Sequence, residues 1–376
     1  MPLSEEHRAV QDAVRAYVQE RIAPHAARWD KERHFPAAEL KGLAALGCYG
    51  VAVPNEWDGA GLDYLALAII LEEIAAGDGG TSTVVSVNNC PVCSILMMWG
   101  NDAQKQRWLM PLARGSLLGA FCLTEPHVGS QADGLTTRAV KRGDAYVLNG
   151  VKQFVTSGKN ADVAIVMAVT DKAAGKRGIS AFIVPTDTPG YQVARIESKL
   201  GQHSSDTAQV VFENCEVPQA NLLAEEGMGL KIALSGLEGG RIGIAAQSVG
   251  MARAAFDAAL AYSKERVAFG KPIFEHQALQ FRLAEMATQL EAARQLLHHA
   301  ARLRDAGQPC LKEAAMAKLF ASELAERVCS AALQTFGGYG YLSDFPVERI
   351  YRDVRVCQIY EGTSDVQKIL IGRALA

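Results

Sequence analysis

Residues 138–150 read Arg-Ala-Val-Lys-Arg-Gly-Asp-Ala-Tyr-Val-Leu-Asn-Gly. Arg138 to Lys141 and Ala145 to Leu148 have the composition of short strands, with Arg142-Gly143-Asp144 as the turn between them. Asn149-Gly150 is a two-residue hairpin signal, because both residue types tolerate the positive φ that such a turn needs. Val163 to Met167, Ser180 to Val184 and Gln209 to Phe212 follow, each short, apolar and bounded by Gly, Pro, Asp or Asn. The spacing predicts a compact all-β domain of roughly a hundred residues, closed or nearly closed into a barrel.

On either side the period changes to that of a helix. Val10, Val14, Tyr17 and Val18 recur at helical spacing, as do Leu65, Ile69 and Glu72-Glu73-Ile74, with glycines at 59, 61, 77, 79 and 80 as punctuation. Beyond Val217-Pro218, residues 251–265, 277–304 and 312–333 are rich in Ala, Leu, Glu, Arg and Lys, all good helix formers. Gly307-Gln308-Pro309 is a turn between two of these helices, and long helices joined by short turns predict an antiparallel bundle. The expected fold is α+β and multidomain: an N-terminal helical domain over 1–118, a β-barrel over 119–225 and a helical bundle over 226–376.

A net charge of -3 gives no electrostatic reason for nucleic acid or an anionic membrane as partner. The uncharged stretch from Gly79 to Asn101 is long enough to span a bilayer, but Thr81, Ser82, Thr83, Asn88, Asn89 and Pro91 interrupt it, and a buried core helix is expected instead of membrane insertion. The start of the chain is acidic and helical in pattern, without the features of a leader peptide. Eight cysteines have no framework spacing and read as reduced, buried thiols, Cys90 and Cys93 included, and no metal site is expected. A bacterial cytoplasm fits these features, as does the mitochondrial matrix for a processed chain. No Gly-x-Gly-x-x-Gly follows a strand and no Walker loop occurs, so neither a Rossmann dinucleotide site nor a phosphate loop is supported.

Five segments carry chemistry. Phe121-Cys122-Leu123-Thr124-Glu125-Pro126-His127-Val128-Gly129-Ser130 opens an irregular loop whose hydroxyls and accessible amides suit a phosphate or the edge of a flavin; the other reading is a structural turn held by its own Thr and Ser. Phe154-Val155-Thr156-Ser157-Gly158 sets an aromatic ring beside hydroxyls, and read alone Phe154 is a core residue of the barrel. Arg266 to Pro272 follows a helix and offers an arginine fork for a pyrophosphate, or simply a solvated or salt-bridged arginine. Gln334 to Gly340, with Gly337 and Gly338, admits a ligand close to the backbone or is a glycine-rich helix stop. In Gln358-Ile359-Tyr360-Glu361-Gly362-Thr363-Ser364-Asp365 a carboxylate stands beside a glycine and before a helix start, and read alone Glu361 is a capping or surface residue.

In order, and between helical flanks, these segments resemble the acyl-CoA dehydrogenase family over essentially the whole chain, most specifically at 121–134 and 360–365. Leu237 to Ala245 and Glu275-His276-Gln277 resemble the short-chain and short-branched-chain members, those acting on isobutyryl- and 2-methylbutyryl-CoA among them. The resemblance implies a helical domain, a β-barrel and a C-terminal four-helix bundle, assembled as a homotetramer. It implies FAD as cofactor, an acyl-CoA substrate and electron-transferring flavoprotein as electron acceptor. Phe121, Cys122, Leu123, Thr124, Gly129, Ser130, Phe154, Val155 and Thr156 would hold the flavin end of FAD within one subunit. Arg266, Phe269, Gln277, Gln334, Gly337 and Gly338 would reach it from a neighbour, with Thr363, Ser364 and Asp365 at its adenosine diphosphate part. Ser130, Glu238, Arg241, Tyr360 and Gly362 would meet the substrate. Glu361 would be the base that takes the α-proton while the flavin takes the β-hydride.

The family carries its base at one of two positions, and the second, just before the bundle arginine, is Gly240 here; Glu238 is offset from it by two residues. The sequence departs from the commoner family pattern at His127-Val128 and Gln131, and Phe154 stands where medium-chain members have tryptophan. Ser82 falls where glutaryl-CoA dehydrogenases have arginine, which disfavours a dicarboxylic substrate. Two other activities share the fold. An acyl-CoA oxidase is usually longer, and a flavin monooxygenase generally lacks the carboxylate at 361. A non-catalytic scaffold would not need the Tyr360-Glu361-Gly362 context.

Overall fold

The structure is a computed structural model describing residues 2–376. Helices fill the first third of the chain, including Glu5–Tyr17, Tyr64–Gly77 and Gly79–Val87. Asp63 and Asp78 cap the latter two, their carboxylates accepting from the backbone N–H of Ala66 (2.7 Å) and Thr81 (2.8 Å). The expected single core helix over 79–101 is not formed. Pro91 has no N–H to give and Cys90 is extended (φ -137°, ψ 116°), so the chain breaks at Asn88–Cys93 before resuming helix at Ser94–Trp99. The expectation of burial holds, for Asn88 to Cys93 are all buried. Among the described residues no helix is long and apolar enough to cross a membrane.

Among the described residues, eight strands form one mixed sheet: β1 Gly119–Cys122, β2 Arg138–Arg142, β3 Ala145–Thr156, β4 Val163–Val169, β5 Ile179–Pro185, β6 Tyr191–Ile196, β7 Thr207–Pro218 and β8 Leu222–Leu223. The order is β6-β7-β3-β2-β4-β5-β8, with β1 added parallel to β4. The expected closed barrel is not found, since β6 and β8 lie at opposite ends of that order with no pairing between them. The sheet nevertheless curls over a core of its own. Ala164, Val166 and Ala168 of β4 point toward Phe182, Tyr146 and Phe212, while Val163, Ile165 and Met167 point outward onto Ile95, Leu109 and Ile232 of the helices. Both faces of β4 are therefore covered, which explains its unbroken apolar run.

Gly143-Asp144 is the turn between β2 and β3, as the sequence indicates. Asn149-Gly150 is not a turn. β3 runs straight through it, and the register with β7 slips there from Leu148↔Cys215 to Gly150↔Phe212. The bulge needs glycine because φ is 155° and an added Cβ would fall 2.6 Å from Thr137 Cα.

Three long helices, Gly229–Glu265, Gln277–Asp305 and Leu311–Phe336, form the bundle, and the shorter Ser364–Leu375 packs on the third. The N-terminal helices share one hydrophobic core with this bundle. Buried charges pin them together. Glu73 binds Arg15 (2.7 Å) and Arg253 (2.7 Å), and Glu72 binds Arg294 (2.9 Å). Burial alone would raise the Glu73 carboxyl, but Arg15 and Arg253 hold it below its ordinary range.

Candidate active site

Glu361 lies between the one-turn segment Arg355–Gln358 and the helix Ser364–Leu375. It does not cap that helix; Thr363 does, its hydroxyl accepting from Val366 N–H at 3.3 Å. Glu361 takes φ +53° and Gly362 φ +87°, two successive left-handed residues that turn the glutamate side chain inward. Gln367 Nε2 donates to the carbonyls of Glu361 (3.2 Å) and Gly362 (2.8 Å), and Lys318 Nζ donates to the Gly362 carbonyl at 2.7 Å.

The carboxylate fills space that the first bundle helix leaves open. A Cβ built on Gly240 would lie 2.6 Å from Glu361 Oε2 and 3.1 Å from Oε1. Oε2 is buried and has no hydrogen-bond partner among the described residues. Burial pushes the carboxyl up from 4.5 to about 7, against the opposing pull of Arg241 and Lys318. Arg241 is itself buried, its Nε and Nη1 without hydrogen-bond partners among the described residues. Desolvation lowers its pKa while Glu361 and Glu238 favour its charge. A carboxyl with one buried oxygen and a pKa raised toward neutrality has the chemistry to accept a proton at neutral pH.

Glu238 is placed differently. It accepts from Arg304 Nη1 at 3.0 Å and from Cys310 Sγ at 3.3 Å, so its charge is spent within the bundle. Tyr360 donates its hydroxyl to Gln247 Oε1 (2.7 Å), within a buried polar group that includes Thr83 and Gln202.

The loop at 121–130 and the end of β3 are brought together. Gln153 N–H donates to Thr124 O (2.8 Å), and Lys152 Nζ donates to Leu123 O (3.0 Å) and Glu125 Oε1 (2.8 Å). Glu125 also accepts from Thr136 and Thr137 N–H at 2.8 and 2.9 Å, and these contacts, led by Lys152, overcome burial and hold its carboxyl down at about 2. Cys122 and Val155 face the sheet core, so only their backbone is open to a ligand, whereas Gly129 and Ser130 are exposed. Phe154 is not a core residue; it is 64% exposed with φ +58°.

Arg266, Gly337 and Gly338 line a surface cleft of about 470 Å³ with Tyr262, Thr335 and Tyr339. The Arg266 guanidinium lies 5.6 Å from the Tyr339 ring centre. Gln334 opens instead into a neighbouring cleft of about 640 Å³, beside Arg282 and Arg327. Gln277 is exposed, as is Phe269 at 96%. Asp365 is exposed, while the Ser364 hydroxyl is buried without a hydrogen-bond partner among the described residues.

Three descriptions match the chain in order: "Acyl-CoA dehydrogenase, N-terminal domain" over residues 4–116, "Acyl-CoA dehydrogenase, middle domain" over 120–215 and "Acyl-CoA dehydrogenase, C-terminal domain" over 227–376. The chain belongs to the acyl-CoA dehydrogenase family. Human mitochondrial short-chain specific acyl-CoA dehydrogenase is 46% identical over 369 residues, 98% of this chain and 90% of the relative. The butyryl-CoA dehydrogenase of Megasphaera elsdenii superposes with a TM-score of 0.98 at 41% identity, covering 100% of this chain and 99% of that one. A glutaryl-CoA dehydrogenase of Mycobacterium smegmatis in complex with FADH2 gives a TM-score of 0.94 at 32% identity, covering 100% and 95%. Acyl-CoA dehydrogenases are oxidoreductases that depend on FAD. The residues present fit that cofactor. Gly129, Gly337 and Gly338 leave open space around their backbones, Phe154 presents an exposed ring, and the Ser157 and Ser364 hydroxyls lack partners among the described residues.

Lys318, Gln367 and the Glu125–Lys152 pair were not singled out from sequence. Lys318 had one visible signal. It falls on the apolar stripe Ala314, Ala317, Ala321, Ala325 of an amphipathic helix, where a charge is out of place.

Proposed function

We propose that this chain removes the α- and β-hydrogens of a short or short-branched acyl-CoA to give the trans-2-enoyl-CoA, with Glu361 as the base. The observation that carries the reading is the Glu361 carboxylate, buried and unpartnered at Oε2, in the space vacated by Gly240. An α-proton of a thioester becomes removable when donors stabilise the charge developing on the carbonyl oxygen. The Glu361 N–H is the donor proposed for that oxygen, on a turn whose Glu361 and Gly362 carbonyls are held by Gln367 and Lys318. As the acyl chain displaces water, the carboxylate gains basicity, and its value near 7 suits proton removal at neutral pH. FAD, when bound, supplies the acceptor for the β-hydride.

The loop 121–130 with 154–156 would hold the flavin end of FAD; Thr363, Ser364 and Asp365 would serve the adenosine diphosphate part. Arg266, Phe269, Gln277, Gln334, Gly337 and Gly338 are proposed to reach the FAD of a neighbouring subunit, and their exposure in the single chain supports this. Exposed Phe269, Phe281 and Tyr341 support assembly as a homotetramer. Ser130, Arg241, Tyr360 and Gly362 are proposed to meet the substrate. Glu238, paired with Arg304, would border the site rather than act in it. Electron-transferring flavoprotein is the proposed acceptor, and the free, buried thiols support work in a reducing compartment.

Anaerobic addition of butyryl-CoA and of 2-methylbutyryl-CoA to the purified yellow protein tests the reading. Bleaching of the visible band by either substrate, lost in Glu361→Gln with FAD retained, is the expected result. Retained turnover in Glu361→Gln refutes the base assignment.

A further inference from the structure

Lys318 lies on the third bundle helix with no exposed surface, and its ammonium donates to the Gly362 carbonyl at 2.7 Å. A fully buried ammonium carries a desolvation cost that a purely structural position would meet more cheaply with an apolar residue. Ala314, Ala315 and Ala321 lie one turn away from it on the same helix. We propose that Lys318 is a positioning residue for Glu361, holding the Gly362 carbonyl so that the glutamate stays in its left-handed conformation and supplying the positive charge on the bundle side of the carboxylate. The inference rests on Glu361 being the base.

Two independent contacts define the grip, Lys318 from the third helix and Gln367 from the last. The Gly362 carbonyl therefore joins two helices at the residue following the base. A second effect is electrostatic. The charged groups facing Glu361 are Arg241 from the first bundle helix and Lys318 from the third, and both oppose its protonation. The Cys90 thiol faces it from the broken segment 88–93. Facing Lys318 itself are Cys357, Glu361, Arg241 and Glu323. Desolvation and Arg241 favour loss of the Lys318 proton, which brings its pKa down to about 8. The charged Lys318 favours the ionised glutamate and so holds it more acidic than burial alone would.

The test uses the FAD-loaded protein and (methylthio)acetyl-CoA, whose β-sulfur has no hydride to give, so that exchange of the α-protons in D2O reports the proton step alone. Mass spectrometry reads the exchange across pH. Lys318→Met removes grip and charge; exchange is expected to slow by roughly 10- to 100-fold, and its acid limb to move up by about half to one pH unit. Lys318→Arg keeps the charge and is expected to keep the parent's acid limb. Gln367→Leu loosens the same carbonyl without touching charge and is expected to slow exchange at an unchanged limb. Unaltered exchange in Lys318→Met overturns the proposal, and so does a limb that moves equally in Lys318→Arg. Should Lys318→Met fail to load FAD, the other two variants decide: unaltered exchange in Gln367→Leu, or an acid limb displaced from the parent's in Lys318→Arg, overturns the proposal. Glu361→Gln, run alongside, separates the two levels: exchange persisting there means that the base assignment itself is wrong.

Discussion

Gly240→Ala adds one methyl group to the first bundle helix where it passes the Glu361 carboxylate. The new carbon would lie 2.6 Å from Oε2 and 2.9 Å from Cδ, against about 3.4 Å for ordinary contact, so the carboxylate must retreat by roughly 0.8 Å. The rest of the protein has little reason to object. Alanine is better than glycine in a helix interior by about 1 kcal/mol, which offsets a local rearrangement at 240. Displacing a catalytic group by such a distance costs on the order of 100-fold in rate. The expected outcome is a protein with the parent's flavin absorbance and a melting temperature unchanged or slightly raised, whose turnover of saturating butyryl-CoA falls by about 100-fold. Stopped-flow bleaching under anaerobic conditions and thermal denaturation are the assays. Turnover within about threefold of the parent would refute the claim that Gly240 provides the room in which Glu361 acts. The same geometry makes a converse prediction: in Gly240→Glu combined with Glu361→Gly the new carboxylate enters the same volume, and activity should exceed that of Glu361→Gly alone.

The acid limb of kcat/KM should fall near pH 7, because burial raises the Glu361 carboxyl to about 7 and only its ionised form accepts a proton. The sign for stability is the reverse of the usual carboxylate case: a raised folded pKa means that ionisation weakens the fold as pH rises from the unfolded value of 4.5 through about 7, so Glu361→Gln should melt a few degrees above the parent at pH 8 and no higher at pH 4. Glu125→Ala strands the buried Lys152 ammonium and should cost about 3–5 kcal/mol, read as a lowered melting temperature together with loss of bound FAD. Gly150→Ala should destabilise the β3–β7 bulge by more than 1 kcal/mol, roughly, since its Cβ would press on the Thr137 backbone; urea unfolding measures it.

Periodicity alone separated the helical flanks from the strands, because amphipathic helices and sheet runs carry different repeats. Closure of the sheet was not legible. The alternation along β4 that curls the sheet over Phe182 and Phe212 is compatible with an open or a closed edge, and only the pairing of β6 and β8 decides between them. Asn149-Gly150 misled because the φ freedom that makes a turn also makes a bulge, and long-range pairing with β7 chose the bulge. Pro91 broke a stretch whose composition promised one helix. At the site, Glu361 read alone was a surface or capping group, and the burial of its Oε2 became visible only once the left-handed turn and the absent side chain at Gly240 were set face to face. Lys318 was signalled only by a charge standing on an alanine stripe, Glu238 found its partner Arg304 only in the folded bundle, and Phe154 looked like core until β3 turned its ring outward.

The eight cysteines, all buried and all free, place chemical reporters in every layer of the molecule. Cys48, Cys90 and Cys93 sit among the N-terminal helices, Cys122 and Cys215 in the strands, and Cys310, Cys329 and Cys357 around the bundle. Burial raises the pKa of each, to about 12 at Cys122 and about 11 at Cys215 and Cys310, so the folded protein offers an alkylating reagent neither access nor thiolate. Labelling then waits on local opening, and the order in which the thiols are modified becomes a record, written in mass, of which part of the protein comes apart first.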